Sequence, residues 1–170
     1  MIDTAELALL YDAHASALFA YLLNLTRNEA ETLDVLQETF LKLARQPDLL
    51  IDVEEPRGFL IRLSHNLVID RIRRQESRQR RHEALCPDPT SLFAPSADPD
   101  TQAFREVLES ALEELPPEQR SVVHLHLWQG LTFDRIGEIT GIPMNTAASR
   151  YRYGIDKLRE RLRPVYDEIK

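Results

Sequence analysis

Apolar residues recur along this chain at spacings of three and four, whereas the every-second-residue alternation of a half-buried strand is nearly absent. The pattern predicts an all-α fold. Leu7, Leu10, His14, Leu18, Tyr21 and Leu25 make one stripe of a helix from Thr4 to Thr26, with Asn28 marking its end. A second helix runs from Glu29 to Arg45 with Leu33, Leu36, Phe40 and Leu43 turned inward, and it stops before Pro47. Residues 46–56 read as a loop. Pro56 suits the first turn of a third helix, which reaches Gln79 and carries Leu60, Leu63 and Leu67 before becoming arginine-rich.

The helical pattern then breaks. The stretch CPDPTSLFAPSADP, Cys86 to Pro99, is rich in Pro, Ser and Asp and holds too little apolar surface to order itself. Beyond it, Asp100 to Leu115 regains helical spacing, Pro116 and Pro117 interrupt, and a further helix from Pro117 to Gln129 ends at Gly130. A short helix from Thr132 to Thr140, a turn at Gly141, Ile142 and Pro143, and a last helix from Asn145 to about Arg163 complete the chain. The expectation is two small helical domains, residues 1–82 and 101–170, joined by a flexible linker at 83–100. The second domain ends in a helix-turn-helix.

That last motif has a job for each position. Thr132 caps the short helix and Asp134 suits its positive end. Phe133, Ile136 and Ile139 face the core, Gly137 offers no side chain where helices cross, and Gly141 permits the turn. Ile142 plugs the core and Asn145 caps the following helix. At about 100° per residue, Ala147, Tyr151, Gly154 and Leu158 share the packed arc of that helix, while Asn145, Ser149, Arg152 and Asp156 share the opposite one. Thr146, Ala148 and Tyr153 lie on the shoulders, with Arg150 nearer the core. Short hydrogen-bonding residues plus an arginine on an exposed N-terminal face are what a helix needs to reach base edges in a major groove.

A net charge of −7 argues against nucleic acid until it is divided along the chain. Residues 1–56 carry −8, 57–82 carry +6, 83–119 carry −8 and 120–170 carry +3. Two basic blocks alternate with two acidic ones, as suits a protein that meets DNA on two surfaces and a protein partner on another. Neither an apolar run long enough to cross a bilayer nor a signal-peptide layout is present, so no membrane insertion and a cytoplasmic location are expected. Cys86 is the single cysteine, cannot form an internal disulfide, and reads as a bystander. The five histidines show no ligand spacing: His124 and His126, at i and i+2 of one helix, point apart. No metal, cofactor or catalytic residue is expected.

Three stretches together resemble the extracytoplasmic-function sigma factors of bacterial RNA polymerase. DVLQETFLKLAR, Asp34 to Arg45, is similar to the family's polymerase-binding motif, with Asp34, Gln37, Glu38 and Phe40 matching. PRGFLIRLSHNLVIDRIRR, Pro56 to Arg74, is similar to the helix that reads and melts the −10 element, including Asn66 and Asp70. ELPPEQRSVV with the helix-turn-helix resembles the domain that binds the −35 element. The resemblance implies that Asp34, Gln37, Glu38, Leu41 and Lys42 meet the clamp helices of the largest core subunit. It also implies that Arg62, Asn66, Arg73, Arg74 and Arg78 meet the −10 region, and Asn145, Thr146, Ser149, Arg150, Arg152 and Tyr153 the −35 region.

The chain departs from the family pattern at Leu33, where an acid is common, at Ala147, where a larger aliphatic stands, and at Ala148, where a lysine is frequent. An anti-sigma factor as a further partner follows from the resemblance alone. An ordinary helix-turn-helix regulator would account for the second domain but leave the acidic motif and the basic third helix unexplained.

Overall fold

Asp3 and Glu6 open the first helix with a reciprocal capping box: the Asp3 carboxylate accepts from the Glu6 N–H, and Glu6 accepts from Asp3. From there the computed structural model describes residues 3–80 and 88–169, with the side chain of Ile169 left aside. Cys86, Arg81 and the first part of the expected linker lie outside the described residues. Among the described residues every regular element is helical. They are α1 (Thr4–Thr26), α2 (Glu29–Arg45), a 3₁₀ turn (Pro47–Leu50), α3 (Pro56–Gln79), α4 (Pro99–Glu113), α5 (Pro117–Leu127), α6 (Phe133–Thr140) and α7 (Met144–Ile169). They fall into two compact units, Met1–Thr90 and Ser91–Lys170.

In the first unit, Arg27 in the left-handed conformation ends α1, and Asn28 caps α2 by accepting from the Glu31 N–H. Leu18, Tyr21, Leu22 and Leu25 of α1 are buried with Val35, Leu36, Phe40 and Leu43 of α2 and Leu60, Ile61, Val68 and Ile69 of α3. The Tyr21 hydroxyl lies 2.7 Å from Nδ1 of His65 inside this core. One inward position differs from the sequence pattern: Leu33 is 41% exposed. The inner face is instead completed by Thr32 and Thr39, whose hydroxyls donate to the carbonyls of Asn28 and Val35 at 2.8 Å each. A threonine that satisfies its own hydroxyl this way buries like a small apolar residue, and α2 is rotated accordingly.

The second unit buries Ala111, Leu112, Leu115, Val123 and Leu158, with Leu92, Leu108, Tyr151, Ile155 and Leu162 packed against them. The stretch expected to be a flexible linker is anchored over most of its described length. Thr90 donates its N–H to the Arg27 carbonyl at 2.8 Å. One carboxylate oxygen of Glu109 accepts from the Ser91 hydroxyl and the Leu92 N–H at 2.7 Å each and from the Phe93 N–H at 3.1 Å. Arg105 donates to the Ala94 carbonyl at 2.6 Å and Gln102 accepts from the Ser96 N–H at 2.9 Å. These bonds come from polar side chains of α4, not from the segment's own apolar surface. The last helix also runs past its expected end near Arg163, through Pro164 to Ile169.

Candidate nucleic-acid interface

The expected site residues lie on three helix faces. On α2, Asp34, Gln37, Glu38, Leu41 and Lys42 are all exposed and line one groove, joined by Arg45, Gln46 and Arg71. They project together because the positions between them, Val35, Leu36, Thr39, Phe40 and Leu43, are buried. The edge is not a free row of acids. Arg71 of α3 donates to Glu38 at 2.8 Å and lies 3.9 Å from Asp34, a neighbour that the sequence pattern does not pair with either.

On α3, Arg62, Asn66, Asp70 and Arg73 are exposed and follow one another by four, four and three residues, so they form one outward stripe. Arg74, Arg78 and Arg80 are exposed beyond them. The Arg62 guanidinium sits 5.5 Å from the Phe59 ring centre, which steadies its stem. Cations with an amide in their midst can hold phosphates and hydrogen-bond a base or sugar.

In the second unit the helix-turn-helix is set by close backbone approach. A Cβ on Gly137 would stand 2.6 Å from the Ile142 carbonyl oxygen, and Gly141 takes φ +72° at the turn. The Thr132 hydroxyl accepts from the Arg135 N–H at 3.2 Å and so caps α6. Phe133, His126 and Tyr151 form an aromatic cluster with ring centres 4.5 to 5.3 Å apart, which ties α5, α6 and α7 together. Ala147, Gly154 and Leu158 are buried. Asn145, Arg152, Tyr153 and Asp156 are exposed, and Thr146, Ala148, Ser149 and Arg150 are half-buried.

Asn145 is not the cap. α7 begins at Met144, and the Thr146 and Ala147 N–H groups donate to the Pro143 carbonyl at 3.0 and 3.1 Å. Proline, unable to donate, begins the helix through its carbonyl, which leaves the exposed Asn145 amide in the first turn and available to a base edge. The Arg152 guanidinium lies 5.6 Å from the Tyr153 ring centre, and Asp156 sits 3.8 Å from Arg159.

His124 and His126 occupy separate surroundings: His124 stacks on Trp128 at 5.4 Å, and Nδ1 of His126 lies 2.8 Å from the Leu131 carbonyl. Among the described residues no cluster of three or more His, Cys, Asp or Glu side chains is placed to hold a metal ion. No described helix is long and apolar enough to cross a membrane.

Two family profiles match this chain: Sigma-70 region 2 over residues 10–78, and Sigma-70, region 4 over residues 111–160. The chain is similar to the ECF RNA polymerase sigma factor SigL of Mycobacterium tuberculosis, 31% identical over 92% of this chain and 89% of that protein. It is likewise similar to the RNA polymerase sigma factor CarQ of Myxococcus xanthus, 31% identical over 94% and 91% of the two chains. Among solved structures, the sigma factor RpoE of Bartonella quintana, crystallised with the anti-sigma factor NepR, shares the fold with a TM-score of 0.73 at 20% identity, over 94% of this chain and 95% of that one.

Proposed function

Since the chain belongs to the ECF RNA polymerase sigma factors, we propose a division of the family's work between its three exposed helix faces. The protein joins core RNA polymerase and directs it to promoter DNA for transcription initiation. In our reading residues 1–82 form the unit that docks on core through Asp34, Gln37, Glu38, Leu41 and Lys42. The same unit reads and helps melt the −10 element through Arg62, Asn66, Arg73, Arg74 and Arg78. Residues 101–170 carry −35 recognition on Asn145, Thr146, Ser149, Arg150, Arg152 and Tyr153. The chemistry of RNA synthesis belongs to core, the chain contributes no catalysis, and it acts in the cytoplasm. An anti-sigma factor of its own is part of the proposal, by analogy with the partner of the Bartonella protein.

The observation that carries this reading is the exposed α3 stripe of Arg62, Asn66, Asp70 and Arg73 inside the stretch that matches region 2. A regulator working through α6 and α7 alone has no use for it. The finest claim concerns Arg152, exposed two turns into α7. An arginine there can take a bidentate grip on guanine O6 and N7, worth about 1 to 3 kcal/mol of discrimination. Arg152→Ala is expected to relax selectivity at one position of the −35 element, and the half-buried Arg150→Ala to weaken all sequences alike or destabilise the unit. Transcription across a library randomised in that element, at fixed salt, measures both. A uniform loss with Arg152→Ala, leaving the sequence profile unchanged, would make Arg152 a phosphate clamp and overturn this orientation of α7.

A further inference from the structure

The groove that gathers the five docking residues has one wall from another helix. Arg71, on α3, reaches across to α2, where its Nη2 donates to Oε2 of Glu38 at 2.8 Å and its Nη1 lies 3.9 Å from Oδ2 of Asp34. The two carboxylates are four residues apart, one helical turn, so a single guanidinium fork spans both. One turn further along α3, the Gln75 amide donates to Glu31 at 2.7 Å, and the polar side of the α2–α3 seam is thereby laced at two levels. The Arg71 side chain is 34% exposed, against 66% for Asp34 and 48% for Glu38. The ion pair therefore stands at the open edge of the seam, in reach of water and of an incoming protein.

We propose that Arg71 is an internal competitor for the docking edge: in the free protein its guanidinium fills the place that a basic side chain of core takes in the complex, and docking exchanges one cation for the other. This inference rests on the assignment of Asp34 and Glu38 to core binding made above. A basic group that approaches these carboxylates from solvent meets a like charge already in contact with them, which opposes association. The Glu38 carboxylate has acceptor positions to spare, so the competition is one of charge: with Arg71 in contact, a second cation at these carboxylates meets like-charge repulsion, which falls when Arg71 turns away as the partner arrives. Exposed ion pairs are weak, so the exchange is shallow and acts as a graded brake on docking, not a lock. Gln75 and Glu31 keep the seam aligned while Arg71 moves.

The experiment is a titration of core RNA polymerase with the labelled full chain at fixed low salt, comparing wild type, Glu38→Gln, Arg71→Gln and the double variant. Glu38→Gln is expected to weaken binding. Arg71→Gln is expected to tighten it about two- to five-fold, the range that release of one exposed ion pair allows. In the Glu38→Gln background the gain from Arg71→Gln should shrink, because its main acceptor is gone. If Glu38→Gln leaves affinity unchanged, the docking assignment fails and this inference falls with it. If Glu38→Gln weakens binding while Arg71→Gln, with an unchanged unfolding midpoint, fails to tighten it, only the competitor role is overturned. Should Arg71→Gln unfold early, Arg71→Met keeps the aliphatic stem and is held to the same result.

Discussion

Burial holds the His124 imidazole neutral: its pKa is lowered from 6.5 to about 4 by desolvation in the second unit. Between those values the unfolded chain binds a proton that the folded chain refuses. This group's contribution is therefore intact above about pH 6.5, is lost as pH falls towards 4, and levels off below. The loss at pH 5 is about 2 kcal/mol. Urea unfolding at pH 7 and pH 5 should show a drop in wild type that exceeds the drop in His124→Gln by about that amount. Equal drops would mean that water reaches the ring. Gly154 makes a second test at this scale, since a Cβ there would stand 2.7 Å from Cγ2 of Val123, a fully buried side chain. Gly154→Ala should cost about 1 to 3 kcal/mol of unfolding free energy through overpacking. Denaturant titration at pH 7 reads that loss, and a neutral result would show α7 seated further from α5.

Among the elements, the clamp on residues 91–93 is the most exposed to test, because one Glu109 oxygen serves two backbone N–H groups and a hydroxyl. Glu109→Ala should raise amide exchange at Leu92 and Phe93 and speed proteolysis between residues 91 and 98, while α5 to α7 stay protected. Unchanged exchange would mean that Leu92 packing alone holds the segment. The ends of α1, α2 and α3 are legible in the sequence because local chemistry sets them: Asp3, Asn28 and Glu55 cap, and Pro56 starts α3. What escapes the sequence depends on partners distant in the chain. Leu33 looks inward only until Thr32 and Thr39 are seen to satisfy their own hydroxyls. The stretch before α4 looks free until Glu109, Arg105 and Gln102 close on it. The outward stripe of α3 and the exposure of Asn145, Arg152 and Asp156 on α7 are readable from helical spacing, although Ser149 of that stripe is half-buried. Arg71 is not, since pairing it with Glu38, 33 residues away, requires knowing how α2 and α3 are turned towards each other.

For the whole molecule, a net charge of −7 hides an arrangement in which basic stretches at 57–82 and 120–170 alternate with acidic ones. The basic stretches contain the exposed stripe of α3 and the helix-turn-helix, and the first acidic one contains the groove on α2. In the proposed reading the two basic blocks meet phosphate and the first acidic block meets a basic protein surface through Asp34 and Glu38. Binding to DNA alone does not distinguish this protein from an ordinary repressor; a requirement for the chain when core polymerase starts at chosen sites does. The deciding measurement is run-off transcription by purified bacterial core polymerase on a DNA library randomised over the promoter region, with and without the full chain, followed by sequencing of the transcribed templates. Chain-dependent transcripts are expected, from templates that share two short motifs at a fixed separation. Transcripts no more abundant or selective than those of core alone, from a chain shown to be folded, would contradict the proposed function.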